Sequence, residues 1–583
     1  MSGRRLLSLI LASALTGLAG AQEAPRLPDI GSSAGSAATP AEMREYGASM
    51  LRELRSYNLV FDDPLVSDYL DSLGYRLVAH SEGAGQPFTF FVVRSNDINA
   101  FAAPGGYLGF NVGLITAVTS EDELAAVIGH EIAHITQQHT LRAFEDSKKT
   151  SLPIALAMLG ALAVAGSRTD DASEAVLMTG LSLIQQRAIN FTRYDEMEAD
   201  RVGIQTLARA GYDPLAMADT FAMFQRIMRT NGIDIPEFLR THPVDVTRIA
   251  DAKSRAEALG KAHAASFGRA PRGTTGDAFS DDAGCAGVAR IGELEPARTL
   301  ACQPASLQLS VPVLASATHV SRRNAATADT PVYFELMRER ARVLNADSAN
   351  AILRYYADDL RGNPAFDTPA NRYGHALALL RVRQSKEAVA AFTDLVDAHP
   401  GQSVFELGLA AAEDQAGQKA AALARHARIN ADFPGNRAIT LAYADALLAT
   451  GGADPARTAQ ELLRPLVQRR ADDPELQRAF GRASELGGDK VRAAEAFAEV
   501  TFLNGRPEDA LNQLSALAKD GDLDYYQRAR VEARITSMTP VVLDQRKRGM
   551  RDGSGGNVAA PAADCGRRLC LHASSRGNNP ALQ

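Results

Sequence analysis

Residues 120–139 read SEDELAAVIGHEIAHITQQH, and this stretch decides how the rest of the sequence is interpreted. Apolar residues recur in it at helical spacing, so we predict a helix. His130 and His134 lie four residues apart and therefore share one face of that helix, where both imidazoles can bind one metal ion. Glu131 follows the first histidine and is placed to take a proton from water that the metal activates. The pattern H-E-x-x-H therefore predicts a zinc-dependent hydrolase.

The flanking sequence predicts the structural setting of this helix. Ser120 followed by Glu123 matches an S-x-x-E capping box, which starts a helix. Residues 88–93 (FTFFVV) are aromatic and β-branched, as in a strand. Residues 99–115 (NAFAAPGGYLGFNVGLI) indicate a hairpin that turns at Gly105-Gly106. We therefore expect a small sheet directly before the metal-binding helix.

Two amphipathic helices are predicted upstream of this sheet. The first begins at Ala41 and is expected to place Met43, Tyr46, Met50 and Leu51 on one face. The second begins at Asp63-Pro64, since an N-cap aspartate before proline is typical of a helix start.

A catalytic zinc site needs a third protein ligand beside the two histidines. His139 follows His134 by five residues, about 140° further round a continuous helix, so we expect it to lie elsewhere. Glu196 is the better candidate, because a helix would place Glu196 and Asp200 on one face while Glu198 points away. We predict that Glu196 binds the metal and that Asp200 hydrogen-bonds a ligand imidazole. The alternative is a charged, solvated helix start.

The segment THPVDVTR supplies two further candidates, His242 and Arg248. Either could stabilise the oxyanion of the reaction or cap the metal when the enzyme is idle. His242, directly before Pro243, could equally be a structural residue. The strand expected at residues 99–103 is the natural edge for an extended substrate to pair with, although it is also explained as ordinary sheet structure.

Composition excludes some function classes. The chain has 583 residues, which is too long for one hydrophobic core and predicts two or three domains. Its formal charge is −7, with 46% hydrophobic residues. A mildly acidic chain without a basic patch is a poor candidate for nucleic-acid binding.

The N-terminus has the features of an export signal. Arg4 and Arg5 precede an apolar run over residues 6–18, and a small-x-small site ends at Ala21. We expect cleavage after Ala21 and a periplasmic location. Gln22 stands where a bacterial lipoprotein would need cysteine, which argues against lipid anchoring.

No other run approaches the roughly 20 apolar residues that a membrane span requires, which excludes an integral-membrane protease. Residues 152–166 (LPIALAMLGALAVAG) are shorter. They predict a buried helix or, alternatively, a lid that contacts a membrane surface.

The four cysteines suit an oxidising compartment. Three disulfide pairings are open; sequence order favours Cys285–Cys302 and Cys565–Cys570, and free thiols are the alternative.

Residues after about 331 repeat with the 34-residue period of tetratricopeptide repeats. The repeated pairs are Pro400 and Pro434, Ala376 and Ala410, and Ala388 and Ala422. The interval from Pro434 to Pro474 is 40 residues instead, which indicates an insertion near residues 451–455. A generic helical bundle is the alternative.

These patterns predict a mainly α chain: a zincin-type α+β metallopeptidase domain with a small sheet, followed by an α-solenoid of tetratricopeptide repeats. The expected segments are a signal peptide (1–21), the metallopeptidase domain (22–264), a linker or insertion (265–330), the repeat domain (331–546) and a flexible tail (547–583).

The sequence resembles the HtpX and CAAX-prenyl-protease class of gluzincin metallopeptidases, in particular their soluble, exported branch. The resemblance rests on HEIAH (130–134), EMEAD (196–200), NAFAAPGG (99–106) and RTHP (240–243). It implies His130, His134 and Glu196 as zinc ligands and Glu131 as the catalytic base. It also implies outer-membrane β-barrel proteins and their assembly machinery as substrates or partners.

Two functions are therefore expected. The first is an exported zinc endopeptidase that degrades misfolded outer-membrane proteins or helps them assemble, with the repeats docking protein partners. The second is a mainly non-proteolytic chaperone or assembly scaffold whose metal site is latent. The intact H-E-x-x-H motif favours the enzyme.

Overall fold

The structure is a computed structural model that describes residues 39–139, 141–142, 193–230, 238–239, 242–267 and 333–547. The predictions about the export signal, residues 152–166, the four cysteines, the linker or insertion from residue 268 onward and the tail from residue 548 fall outside the described residues. Among the described residues, no helix combines the length and apolar character that a membrane crossing requires.

The first two helices begin within one residue of the predicted positions. Helix α1 spans Pro40–Ser56, and its N-cap Thr39 forms a reciprocal capping box with Glu42. Helix α2 spans Pro64–Ala79, and the carboxylate of Asp63 accepts a hydrogen bond from the backbone N–H of Val66 at 3.1 Å.

The predicted apolar face of α1 is wrong in one respect. Tyr46 is 47% exposed, whereas the neighbouring Gly47 is buried. The contact surface of α1 is rotated because Gly47 packs directly on the ring of Tyr107 from the sheet.

The predicted sheet is present and has three strands, β1 (Thr89–Val93), β2 (Ala100–Ala103) and β3 (Tyr107–Asn111). Their order is β1-β3-β2, with β1 parallel and β2 antiparallel to the central β3. The β2–β3 hairpin is therefore confirmed, and β2 lies at one edge of the sheet in the part of the chain that the structure describes.

Two glycines make the hairpin turn possible. Gly105 and Gly106 have φ of +78° and +84°, which L residues rarely adopt. A Cβ on Gly105 would also lie 2.4 Å from Cα of Arg44. The turn thus needs glycine both for its conformation and for its contact with α1.

After a short helix α3 (Val112–Ala117), the H-E-x-x-H motif lies on α4 (Glu121–Thr136), as predicted. Ser120 caps α4 through a 3.2 Å hydrogen bond from the Glu123 N–H. The second half of the capping box is absent, because the Glu123 carboxylate accepts from the N–H (2.6 Å) and hydroxyl (2.9 Å) of Thr119 instead.

Three longer helices follow in the described part of the peptidase domain: α5 (residues 193–210), α6 (Ala216–Thr230) and α7 (Val246–Phe267). Helix α5 crosses α4 where Gly203 faces the motif. A Cβ on Gly203 would lie 3.2 Å from the backbone N of His130. This close approach brings the acidic residues of α5 beside the histidines of α4.

The C-terminal region consists of twelve α-helices among the described residues 333–547. They are α8 (Tyr333–Asn345), α9 (Ala349–Gly362), α10 (Pro369–Arg381), α11 (Ser385–Ala398), α12 (Ser403–Gln415), α13 (Lys419–Asp432), α14 (Arg437–Thr450), α15 (Ala453–Arg469), α16 (Pro474–Gly487), α17 (Lys490–Leu503), α18 (Pro507–Leu517) and α19 (Tyr525–Lys547).

The helical repeat is confirmed by its period. The first helices of successive pairs begin at Pro369, Ser403, Arg437, Pro474 and Pro507, so the spacings are 34, 34, 37 and 33 residues. The longer interval arises in α15, which has 17 residues where α11 and α13 have 14. The alanines that carry the period are buried where paired helices meet, namely Ala376, Ala388, Ala410 and Ala422.

The repeats pack directly against the peptidase domain, mainly through α2. Tyr333 of α8 lies 5.7 Å from Tyr69 of α2, ring centre to ring centre. Arg340 of α8 donates two hydrogen bonds of 2.7 Å to Asp63, the N-cap of α2. The two regions thus share one hydrophobic core, and α2 connects the repeats to the helix that carries the motif.

Candidate metal centre

Four buried side chains from three parts of the chain converge on one point. They are His130 and His134 of α4, Glu196 of α5, and His242, which lies shortly before α7. One ligand atom from each lies within 4.8 Å of all the others. The structure therefore brings together the three ligands predicted from sequence, and His242 joins them as a fourth donor.

The distances within this group are short. Nε2 of His134 lies 3.0 Å from Nε2 of His130, which lies 3.4 Å from Nδ1 of His242. The Glu196 carboxylate is 3.4 Å from each of His130 and His134 and 2.9 Å from Nδ1 of His242. Three ring nitrogens and one carboxylate therefore face a common centre.

The electrostatics of this group favour a cation. Burial opposes ionisation of Glu196, but His242 and His130 beside it hold its pKa well below the usual range. Burial also lowers the pKa of His130, yet its contacts with Asp200 and Glu196 outweigh this and raise the pKa to about 10. The carboxylates thus stabilise positive charge at the centre.

The residues present fit a bound metal ion. Imidazole nitrogens this close need a proton or a metal ion between their lone pairs, and imidazole nitrogens with a carboxylate oxygen are a common donor set for divalent metals. Oε2 of Glu196 is buried and accepts no hydrogen bond among the described residues, although the Arg248 guanidinium is 2.9 Å away. A metal ion at the centre would use its free lone pair.

Asp200 lies behind His130, where the sequence places it. Its Oδ1 is 3.0 Å from Nδ1 of His130, on the side of the ring that faces away from the centre. Glu196 and Asp200 share one face of α5, whereas Glu198 points away from the centre. Glu198 is not a freely solvated residue, however, since it pairs with Arg142 at 2.6 Å.

Arg248 holds the two carboxylates of α5. Its Nε and Nη2 donate to Asp200 at 2.7 Å each, and its Nη1 lies 2.9 Å from Glu196. The same Nη1 donates to the carbonyl of Pro243 at 2.7 Å. Because these acceptors take up its donors, the geometry favours a positioning role for Arg248 over the expected role as an oxyanion donor.

Glu131 lies at the centre without a fixed partner. The side chain is fully buried, and neither carboxylate oxygen has a hydrogen-bond partner among the described residues. Burial raises the pKa of Glu131. A carboxylate with free lone pairs and a raised pKa is suited to accept a proton from water.

His242 lies next to this carboxylate. Its Nε2 is 3.6 Å from Oε1 of Glu131, and its ring stacks on Phe238 at 4.7 Å and 26°. Sequence reasoning missed Phe238, because a single phenylalanine carries no motif that marks it as the support of a histidine.

Sequence reasoning also placed His139 away from the site. The structure keeps it out of the four-residue group but places its Nδ1 2.8 Å from Nδ1 of His134. The predicted angle assumed a continuous helix, whereas α4 ends at Thr136 and Gln138 adopts a φ of +56°. The chain therefore turns back and brings His139 behind His134.

The fold and the site define a metallopeptidase, and comparison with known proteins agrees. Residues 64–256 match the model of peptidase family M48. A putative β-barrel assembly-enhancing protease of Vibrio cholerae is 40% identical over 253 residues, which are 43% of this chain and 52%, about half, of that protein. A mitochondrial metalloendopeptidase OMA1 of Arabidopsis thaliana is 30% identical over 205 residues, 34% of this chain and 39% of that protein.

The similarity to one relative extends through the repeats. The β-barrel assembly-enhancing protease of Escherichia coli K12 is 30% identical over 518 residues, which cover 89% of this chain and 92% of that protein. The chain therefore belongs to the β-barrel assembly-enhancing proteases of peptidase family M48. The predicted enzyme class and fold are confirmed.

Proposed function

We propose that the chain is an exported, zinc-dependent endopeptidase that acts on outer-membrane β-barrel proteins in the periplasm. The observation that carries the proposal is the buried convergence of His130, His134 and Glu196 beside the free carboxylate of Glu131. The export signal expected at residues 1–21 supports the location. The names of the relatives support the substrate class.

His130, His134 and Glu196 would hold the zinc ion. When bound, zinc supplies Lewis acidity, which polarises the scissile carbonyl and makes water more acidic. Glu131 takes the proton of the attacking water and can return it to the leaving amine. Asp200 and Arg248 keep His130 and Glu196 in place through the contacts described above.

Strand β2 is suited to align the substrate. It lies at the edge of the described sheet and packs against α4, which carries the motif. An extended peptide can add to such an edge through backbone hydrogen bonds, so that many sequences bind without a strict side-chain requirement. This would suit an enzyme that acts on misfolded proteins.

His242 supports a latent resting state. Its Nδ1 reaches the proposed ligands and its Nε2 reaches the proposed base, so one imidazole covers both parts of the catalytic machinery. We infer that His242 caps the metal until it is displaced.

The repeats provide a surface for protein partners. A tetratricopeptide array presents an extended concave face to other proteins, and here it is fixed to the peptidase domain through α2. The alternative function is a chaperone or assembly scaffold that uses this surface while the metal site stays latent.

Glu131→Gln tests the proposal. The variant keeps the proposed ligands but cannot accept a proton, so it should retain zinc and lose cleavage of casein by roughly a hundredfold or more. Glu257→Gln, an exposed position on α7, is the matched control and should behave as wild type. Absence of zinc in the wild type, or cleavage unaffected by Glu131→Gln, would contradict the proposal.

A further inference from the structure

A second cluster of polar side chains lies behind His134, on the side away from the metal centre. Nε2 of His139 is 3.2 Å from Oε2 of Glu198 and 3.7 Å from Oδ1 of Asp195. Nδ1 of His139 faces Nδ1 of His134 at 2.8 Å. The cluster thus contacts a proposed metal ligand directly.

This cluster is not suited to a second metal ion, although its donor atoms lie close together. The guanidinium of Arg142 is already 2.6 Å from Oε2 of Glu198 and 3.9 Å from Oδ1 of Asp195. A protein cation therefore already pairs with the carboxylates that a metal would bind.

The hydrogen atoms of the two imidazoles can be assigned by elimination. His134 can bind a metal through Nε2 only if that nitrogen has a free lone pair, so its proton must be on Nδ1. Nδ1 of His139 must then accept a hydrogen bond from this N–H, because two N–H groups cannot face each other at hydrogen-bond distance. His139 consequently carries its own proton on Nε2, from which it donates a hydrogen bond to Glu198.

We propose that His139 is the positioning residue that sets the tautomer of His134. Glu198 fixes His139 in turn, and Arg142 fixes Glu198. Each histidine of the motif then has its own partner, Asp200 for His130 and His139 for His134. This inference rests on the metal site of the proposed function.

Zinc affinity of the full-length protein, measured by competition with a chelator, tests the inference. His139→Ala should lower the affinity about 10–100-fold, the usual effect of losing an outer partner of a metal ligand. His139→Asn should restore most of it, because Oδ1 of asparagine stands where Nδ1 of histidine stood and accepts a hydrogen bond. His139→Gln should not, since its amide reaches only the former Nε2 position.

The asparagine and glutamine variants separate positioning from mere packing. Equal affinity in all variants, or equal losses in His139→Asn and His139→Gln, would overturn the inference. A wild-type protein that binds no zinc would instead overturn the proposed function. Thermal unfolding of the metal-free variants shows whether each one folds. The zinc affinities of His139→Asn and His139→Gln are then compared as those of two folded proteins.

Discussion

Nε2 of His242 lies 3.6 Å from Oε1 of Glu131, while Nδ1 of the same ring lies 2.9 Å from Oε1 of Glu196. One imidazole therefore contacts both the proposed base and a proposed metal ligand. If His242 caps the metal, a peptide carbonyl has to displace this ring, which is stacked on Phe238.

His242→Ala should raise basal proteolysis. If the capped state holds about 90% of the molecules, removal of the cap should increase the casein cleavage rate about tenfold. His80→Ala, an exposed histidine at the end of α2, is the control and should leave the rate unchanged. An unchanged rate in His242→Ala would count against a capping role, and a lower rate would favour a role in the reaction itself.

Arg248→Met should destabilise the protein by about 3–5 kcal/mol, because it leaves the buried carboxylates of Asp200 and Glu196 without their common partner. Chemical unfolding of the metal-free protein measures the loss. Arg255→Met on the same helix is the matched control: its pair with Asp251 is partly exposed to solvent and should contribute at most about 1 kcal/mol. Similar losses in both variants would contradict the positioning role of Arg248.

The metal centre could be predicted from sequence as far as helical spacing determines geometry. The spacings of His130 to His134 and of Glu196 to Asp200 each define one helix face, and the two faces meet in the structure. The contact of His139 with His134 depends on the left-handed residue Gln138, which no spacing rule anticipates. Contacts between segments that lie far apart in the sequence could not be predicted either.

The repeats illustrate the same limit. Their period follows from prolines and alanines at fixed intervals, so it could be read from the sequence. Their attachment could not, because the pair Asp63–Arg340 joins residues 277 positions apart. No motif pairs these two residues, and complementary charge alone does not identify one partner among many.

Gly203→Ala should weaken both folding and the metal site. The added Cβ would lie 3.1 Å from Cε of Met217 and 3.2 Å from the backbone N of His130, so α5 has to move away from α4. We expect a loss of about 1–3 kcal/mol, as in other overpacked cores, together with lower zinc affinity. Gly260→Ala is the control, because a Cβ there meets nothing within 4 Å and the helix should gain about 0.5–1 kcal/mol. Equal effects of the two substitutions would show that α4 and α5 tolerate separation.

Asp71 should make the contact between α2 and the repeats sensitive to pH. Burial raises the pKa of Asp71 to about 7, Arg470 at 3.3 Å opposes this shift, and Asp68 adds to it. The folded state therefore holds a proton that the unfolded state releases near pH 4, so this group's contribution to stability is lost as the pH rises from about 4 to about 7. The Asp71→Asn variant has no carboxyl group to ionise and does not show this loss. Its melting temperature minus that of the wild type should therefore increase as the pH rises through this window. Asp219→Asn, at an exposed position on α6, is the control. Its melting-temperature difference from wild type should stay constant across the same window. A difference for Asp71→Asn that stays constant or falls with pH would mean that Asp71 is ionised in the folded protein throughout.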